Sequence, residues 1–335
     1  MTLALILLFL LGSIGLGLPI AFALAAVSIV VLAAGDVDLL VVVQRLYGGV
    51  NSFPLLAVPL FILAGQIMGR SGISAVLVDF ARALVGAMRG GLAAVNIITS
   101  MFFAGMSGTS MSDTAAVGGV LIPRMIDRGY SRAFTGAVTA SSSTIGIIIP
   151  PSVPMVILGA FMQVSTGALF AAGLLAGLLL GFGLIAAAWI VSVRQGYPVE
   201  APFRLRHCLA SFLRAAPALA ARRPAGRDRA GGILGGVFTP TEASAIAVVY
   251  GIAVAALWYR SLSLGQLYQA FAESAVLTGA VMLVTATAHV LGFTFTYENL
   301  GTQLIEPLTH FALTPFTLLL VLSVVMILAG TFLDG

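Results

Sequence analysis

Long apolar runs with almost no charge inside them constrain this chain more than any other feature. They fall at residues 3–34, 54–69, 167–193, 233–258, 272–293 and 311–332. Several reach the roughly 18 residues that a helix needs to cross a bilayer. Only 8% of the residues are charged, against about 25% in a soluble domain. Backbone in hydrocarbon must satisfy its own hydrogen bonds, so runs of this length become helices. The expected fold class is an all-α polytopic membrane protein, with the lipid bilayer as its first partner.

The sparse polar residues exclude other classes. All 16 basic residues are arginine, and eight of them fall between Arg194 and Arg229. The net charge of +4 therefore marks one local segment and points to no nucleic acid. The single Cys208 rules out an internal disulfide, and His207, His289 and His310 match no metal-ligand spacing. No nucleophile–base pair or carboxylate dyad is visible, so an enzyme is not expected. Nor can a chain without lysine carry a P-loop. No basic residues precede the first apolar run and no cleavage site is evident, so that run is read as a retained helix.

One polar stretch stands out against this background: Gly105-Met-Ser-Gly-Thr-Ser-Met-Ser-Asp-Thr-Ala-Ala-Val-Gly118. A carboxylate and exposed backbone at membrane depth persist only where protein or a cavity surrounds them. Residues 91–103 before it reach about 20 Å as a helix, too short to span. Residues 115–122 lead back toward Pro123. Arg89 lies before this unit, and Arg124, Arg128 and Arg132 lie after it. Both ends thus carry the charge favoured on the cytoplasmic side, where these arginines act as orientation anchors. Two short arms, a polar tip and same-side ends predict a re-entrant helical hairpin.

After the hairpin, Thr139-Ala-Ser-Ser-Ser-Thr-Ile-Gly146 and Pro150-Pro151-Ser152 predict a broken helix resuming to about residue 162. Elsewhere, residues 3–34 form either one tilted helix or two halves bent at Pro19. Residues 35–53 read as a loop, and 70–90 as an amphipathic helix at the interface. Residues 195–231 read as an anomalous basic segment, with 220–230 in the style of a disordered linker.

The ordered set resembles one family. The hairpin tip is followed by Ile122-Pro-Arg-Met, Arg128-Gly-Tyr130, Ile145-Gly-Ile-Ile-Ile-Pro-Pro-Ser152 and Gly231-Gly-Ile leading to Phe238-Thr-Pro-Thr-Glu-Ala243. Together these look like the large membrane subunit of tripartite ATP-independent periplasmic (TRAP) transporters, from about residue 4 onward. The resemblance implies a sodium-coupled secondary importer in the bacterial inner membrane. Its solute is a C4-dicarboxylate or similar organic acid, delivered by an extracytoplasmic binding protein. A small membrane subunit is the other partner. No cofactor is implied beyond Na⁺ as coupling ion. An inverted-repeat, elevator-type fold is implied, each repeat giving a re-entrant hairpin and a broken helix. Residues 1–90 become scaffold and interfacial arm, 91–165 the first transport half-site, and 232–335 the start of the second repeat.

Na⁺ takes oxygen ligands, and a broken helix frees carbonyls. On this reading Ser107, Gly108 and Thr109 at the tip meet Thr144 and Gly146 to form a sodium site, partly through main-chain oxygens. Ser110, Ser141, Ser142 and Ser143 are the expected solute contacts. Two roles fit Asp113: an electrostatic aid to the ion, or a cap on the second hairpin arm. The cap is preferred because it needs no direct ion contact. Pro150 and Pro151 set the break. Thr239, Pro240 and Glu242 form an interhelix cap or hinge.

Two departures from the family pattern follow. Residues 216–230 are Arg/Pro/Ala/Gly-rich where the family is apolar, which a local reading-frame shift in a GC-rich gene would explain. The sequence also stops where a second hairpin is expected, so this chain alone is not expected to transport.

Overall fold

The computed structural model describes residues 2–199, 205–221, 238–303 and 314–332. The described residues are helical apart from turns and one isolated bridge between Arg89 and Val199. Four helical stretches among them are long and apolar enough to cross a bilayer: Phe53–Arg70, Thr166–Gln195, Pro240–Trp258 and Leu264–Tyr297. Two compact units are distinguished, one of residues 1–51 with 280–335 and one of residues 52–279.

In the first unit, the apolar run 3–34 is two helices, α1 (Thr2–Gly15) and α2 (Ile20–Ala34). The turn between them uses Gly17 at a φ of 85°, a region that costs glycine little. Pro19 follows at the N-cap of α2, so a continuous helix is excluded. Ile6, Val27 and Leu300 form a small buried cluster. The expected loop at 35–53 is a helix for most of its length, α3 (Leu39–Val50). Asp38 caps it, its carboxylate accepting the Leu40 N–H at 2.8 Å. The turn-forming residues of that segment belong to the helix ends. The Arg45 guanidinium lies 4.1 Å from the centre of the Phe293 ring, and Gly49 lies against His289.

The second unit begins with the short turn Phe53–Leu56 and α4 (Ala57–Arg70). An amphipathic helix, α5 (Ile73–Val85), follows, with Ile73, Leu77, Val78 and Ala81 buried on one face. The hairpin is α6 (Gly91–Ser107), then α7 (Ser110–Asp113), a wide turn Thr114–Gly118, and α8 (Gly119–Asp127). Helix α9 (Arg132–Ser143) tightens into Thr144–Ile147, breaks, and resumes as α10 (Val153–Met162). Two short arms and a broken helix are thus present. Along α11 (Thr166–Gln195), Gly173, Gly177 and Gly181 repeat every four residues and so share one face. A Cβ on Gly177 would fall 2.4 Å from Ile149 Cγ1, and one on Gly181 2.5 Å from Met101 Sδ. The glycine face lets α11 press directly on the break and on α6.

The basic segment 195–231 contains an unexpected helix, α12 (Leu205–Ala221). Its Phe212 ring lies 5.7 Å from Phe80 of α5. Residues 216–221 continue that helix, while 222–237 lie outside the described residues, so the linker and frame-shift expectations are largely beyond what is described. Helix α13 (Pro240–Ala253) packs on α4, burying Leu63, Ala64 and Ile67 with Val248. Helix α14 (Leu264–Tyr297) is joined to the end of α4 by an Arg70–Glu273 ion pair and an Arg70–Gln269 hydrogen bond of 3.0 Å. The boundary between the two compact units falls within α14. The last described helix is α15 (Pro315–Phe332).

Candidate functional site

The hairpin tip is a tight reversal. Gly108 ends α6 in the left-handed region, with φ at 63°. Thr109 is extended and caps the next helix, its hydroxyl oxygen accepting the Ser112 N–H at 3.4 Å. The cap expected at Asp113 is therefore Thr109. The second arm starts at Ser110, so Asp113 already lies inside it. Which of two cap-forming residues serves is set by where the backbone leaves the extended region.

The tip meets the broken helix through its backbone. The Val153 N–H, at the start of α10, donates to the Gly108 carbonyl at 3.3 Å. A Cβ on Gly108 would lie 2.8 Å from the Pro151 carbonyl oxygen, and one on Gly146 3.2 Å from that of Thr109. Glycine at both positions permits this approach. Ser152 caps α10, accepting the Met155 N–H and donating to the Ile147 carbonyl at 2.6 Å. Pro150 and Pro151 sit in the break with a cis peptide bond between them.

Gly108, Thr109 and Gly146 are thus brought together. Thr144 is exposed, and its hydroxyl donates to the Ser141 carbonyl at 2.8 Å. Ser107 is the last residue of α6, and its side chain lies outside the described residues. Ser110 is partly exposed and Ser141 exposed, open to a solute. Ser142 and Ser143 are buried, and their hydroxyls donate to the Thr139 carbonyl.

Their partners form a polar ladder between α6 and α9. The Asn96 amide donates to Thr139 Oγ1 at 2.8 Å, and Ser142 Oγ donates to Asn96 Oδ1 at 3.1 Å. Ser100 Oγ donates to Ser142 Oγ at 3.2 Å. Ser143 Oγ and Thr139 Oγ1 donate to the Thr139 and Thr135 carbonyls. Asn96 and Ser100 were not singled out from the sequence. Their spacing of four residues in an apolar arm is the signal that marks them, because it places both on one helix face.

Asp113 sits beside this ladder and is fully buried. The Ser100 and Ser143 hydroxyls face its carboxylate, but their protons go to Ser142 and to the Thr139 carbonyl. Among the described residues, neither carboxylate oxygen has a hydrogen-bond partner. A buried charge without such a partner is costly. Among the described residues no group of three His, Cys, Asp or Glu side chains could hold a metal ion; main-chain and hydroxyl oxygens are the donors available.

The Thr239–Glu242 segment lies elsewhere in the unit and is a reciprocal cap. The Thr239 N–H donates to Glu242 Oε2 at 2.8 Å, and Glu242 N–H to Thr239 Oγ1 at 3.3 Å. Pro240 occupies the first turn, where its missing N–H costs nothing. Thr241 Oγ1 donates to the Phe53 carbonyl, tying the starts of α13 and α4.

The family model for the tripartite ATP-independent periplasmic transporter, DctM component, matches residues 5–335. The chain belongs to this family. It is a family of transporter permeases, not of enzymes. The DctM-family chain is 37% identical over 290 residues to the C4-dicarboxylate TRAP transporter large permease protein DctM of Pseudomonas aeruginosa, covering 87% of this chain and 67% of that protein. It is 33% identical over 326 residues to the sialic acid TRAP transporter large permease protein SiaM of Vibrio cholerae, covering 97% and 75%. It is 35% identical over 322 residues to the isethionate TRAP transporter permease protein DctMQ of Oleidesulfovibrio alaskensis, covering 96% of this chain and 50% of that protein. The DctM-family chain thus spans half to three quarters of these relatives' lengths.

Proposed function

We propose that this DctM-family chain forms part of a sodium-coupled importer of organic acids in a bacterial inner membrane. Asp113 carries the reading: a buried carboxylate without a donor among the described residues, beside a hairpin tip pressed against a broken helix. In this reading Na⁺ lies between the tip and the break. Main-chain oxygens near Ser107, Gly108, Thr109, Thr144 and Gly146 supply ligands, and Asp113 supplies charge. Ser110 and Ser141 offer hydroxyls to the carboxylate solute. The helix starts at Ser110 and Val153 add positive dipole ends that suit an anion.

The partners follow from the family. An extracytoplasmic binding protein delivers the solute, and a small membrane subunit completes the assembly, as the fused DctMQ relative suggests. The relatives named above handle a C4-dicarboxylate, a sialic acid and isethionate, so an anionic organic solute is their shared chemistry.

The test is a thermal melt of the purified chain titrated with NaCl against KCl at constant ionic strength. Sodium is expected to raise Tm, and Asp113→Asn is expected to abolish the rise. Equal stabilisation by K⁺, or an unchanged response in Asp113→Asn, would refute the sodium site.

A further inference from the structure

We propose that the arginine-rich end of the second unit is a seat for an anionic diacyl phospholipid. Three segments distant in sequence meet there. Tyr197 stacks on Tyr130 with ring centres 4.3 Å apart. Its hydroxyl accepts the Ser131 N–H at 3.2 Å. Arg89 forms a backbone bridge with Val199, and the Gly90 N–H donates to the Pro198 carbonyl. This clamp gathers Arg89, Arg132 and Arg194 onto one rim: Arg132 follows Ser131, and Arg194 lies three residues before Tyr197.

All three arginines are exposed, and none forms an ion pair among the described residues. The carboxylates nearest in sequence to the clamp are Asp127 and Glu200, against the three arginines. Arg194 sits one helical turn above Ile190, and the neighbouring Trp189 is also exposed. Trp189 and Ile190 are 47% and 46% exposed, which continues the apolar flank of α11 right up to the charged rim. A free phosphate would use the arginines alone. A lipid uses both features, with its phosphate on the guanidinium groups and its chains along Trp189 and Ile190. Positive charge places the rim in the cytoplasmic leaflet. The clamp fixes the three backbones in advance, which lowers the ordering cost of binding. The seat does not depend on which solute or ion the permease carries.

The experiment is native mass spectrometry of the whole purified chain, titrated with phosphatidylglycerol or phosphatidylcholine of identical chains. Phosphatidylglycerol is expected to be retained at least about tenfold better, given the usual attraction per basic residue. The double variant Arg132→Gln/Arg194→Gln is expected to lose roughly tenfold or more of that preference. Arg132→Lys/Arg194→Lys is expected to keep most of it, and Arg45→Gln, in the other unit, to leave it unchanged. Absence of preference in the wild-type chain overturns the proposal, and that arm needs no variant to fold. So does full retention in the glutamine double variant. Displacement of the lipid by excess glycerol 3-phosphate would show a free-anion site instead and also overturns it.

Discussion

A methyl group on Gly108 would meet the Pro151 carbonyl oxygen at 2.8 Å, on a backbone whose φ of 63° already disfavours an L side chain. Gly108→Ala is therefore expected to cost about 1–2 kcal/mol and to weaken the sodium-dependent Tm rise, because the tip must retreat from the break. A Tm and sodium response equal to wild type would show that the approach is unimportant. Asn96 tests the ladder beside Asp113. Asn96→Ala leaves the Thr139 and Ser142 hydroxyls short of a partner, and about 1–2 kcal/mol is expected for a hydrogen bond between membrane helices. Denaturation in mixed micelles would measure it. The tip glycines were legible in the sequence, since glycine among hydroxyls in an apolar chain has few other uses. The residue that caps the second arm was not. Thr and Asp are both good caps, and only the extended φ of −137° at Thr109 settles which one serves.

Helices reveal themselves by length and pattern, and the two short amphipathic ones did not. Helix α3 is flanked by Asp36, Asp38, Asn51 and Ser52, residues that read as loop until Asp38 is seen to cap. Helix α12 hid behind the arginines that follow it. The broken helix was legible because two prolines leave no helical alternative at Pro150–Pro151. What the pattern omitted was the surface it rests on. Gly177→Leu is expected to push α11 off Ile149. Sodium affinity should fall more than global stability, which parallel melts with and without sodium would separate. The reciprocal cap of α13 behaves differently. Thr239→Ala should cost about 1 kcal/mol and leave the sodium-induced shift intact, since the cap lies away from the tip.

Across the whole molecule, apolar run lengths announced a polytopic helical protein, because hydrocarbon admits little else. The division into two compact units was not legible. It falls inside α14, whose 34 residues form one uninterrupted helix. Long-range packing decides such a boundary, and no composition change marks it. Each unit has its own ties: Arg45 over Phe293 in one, and Arg70 with Glu273 in the other. Arg45→Ala is thus expected to raise hydrogen exchange in α3 and the later part of α14 while the sodium-induced Tm shift stays unchanged. A lost shift would mean the tip depends on both units.

The bare carboxylate of Asp113 has a consequence for leakage. Any rearrangement that drew the ion-free tip through hydrocarbon would drag an uncompensated charge with it, at a cost of several kcal/mol. On the proposed reading, the same oxygens would tie movement of the tip to the presence of its ion, so Asp113→Asn would be expected to loosen that tie.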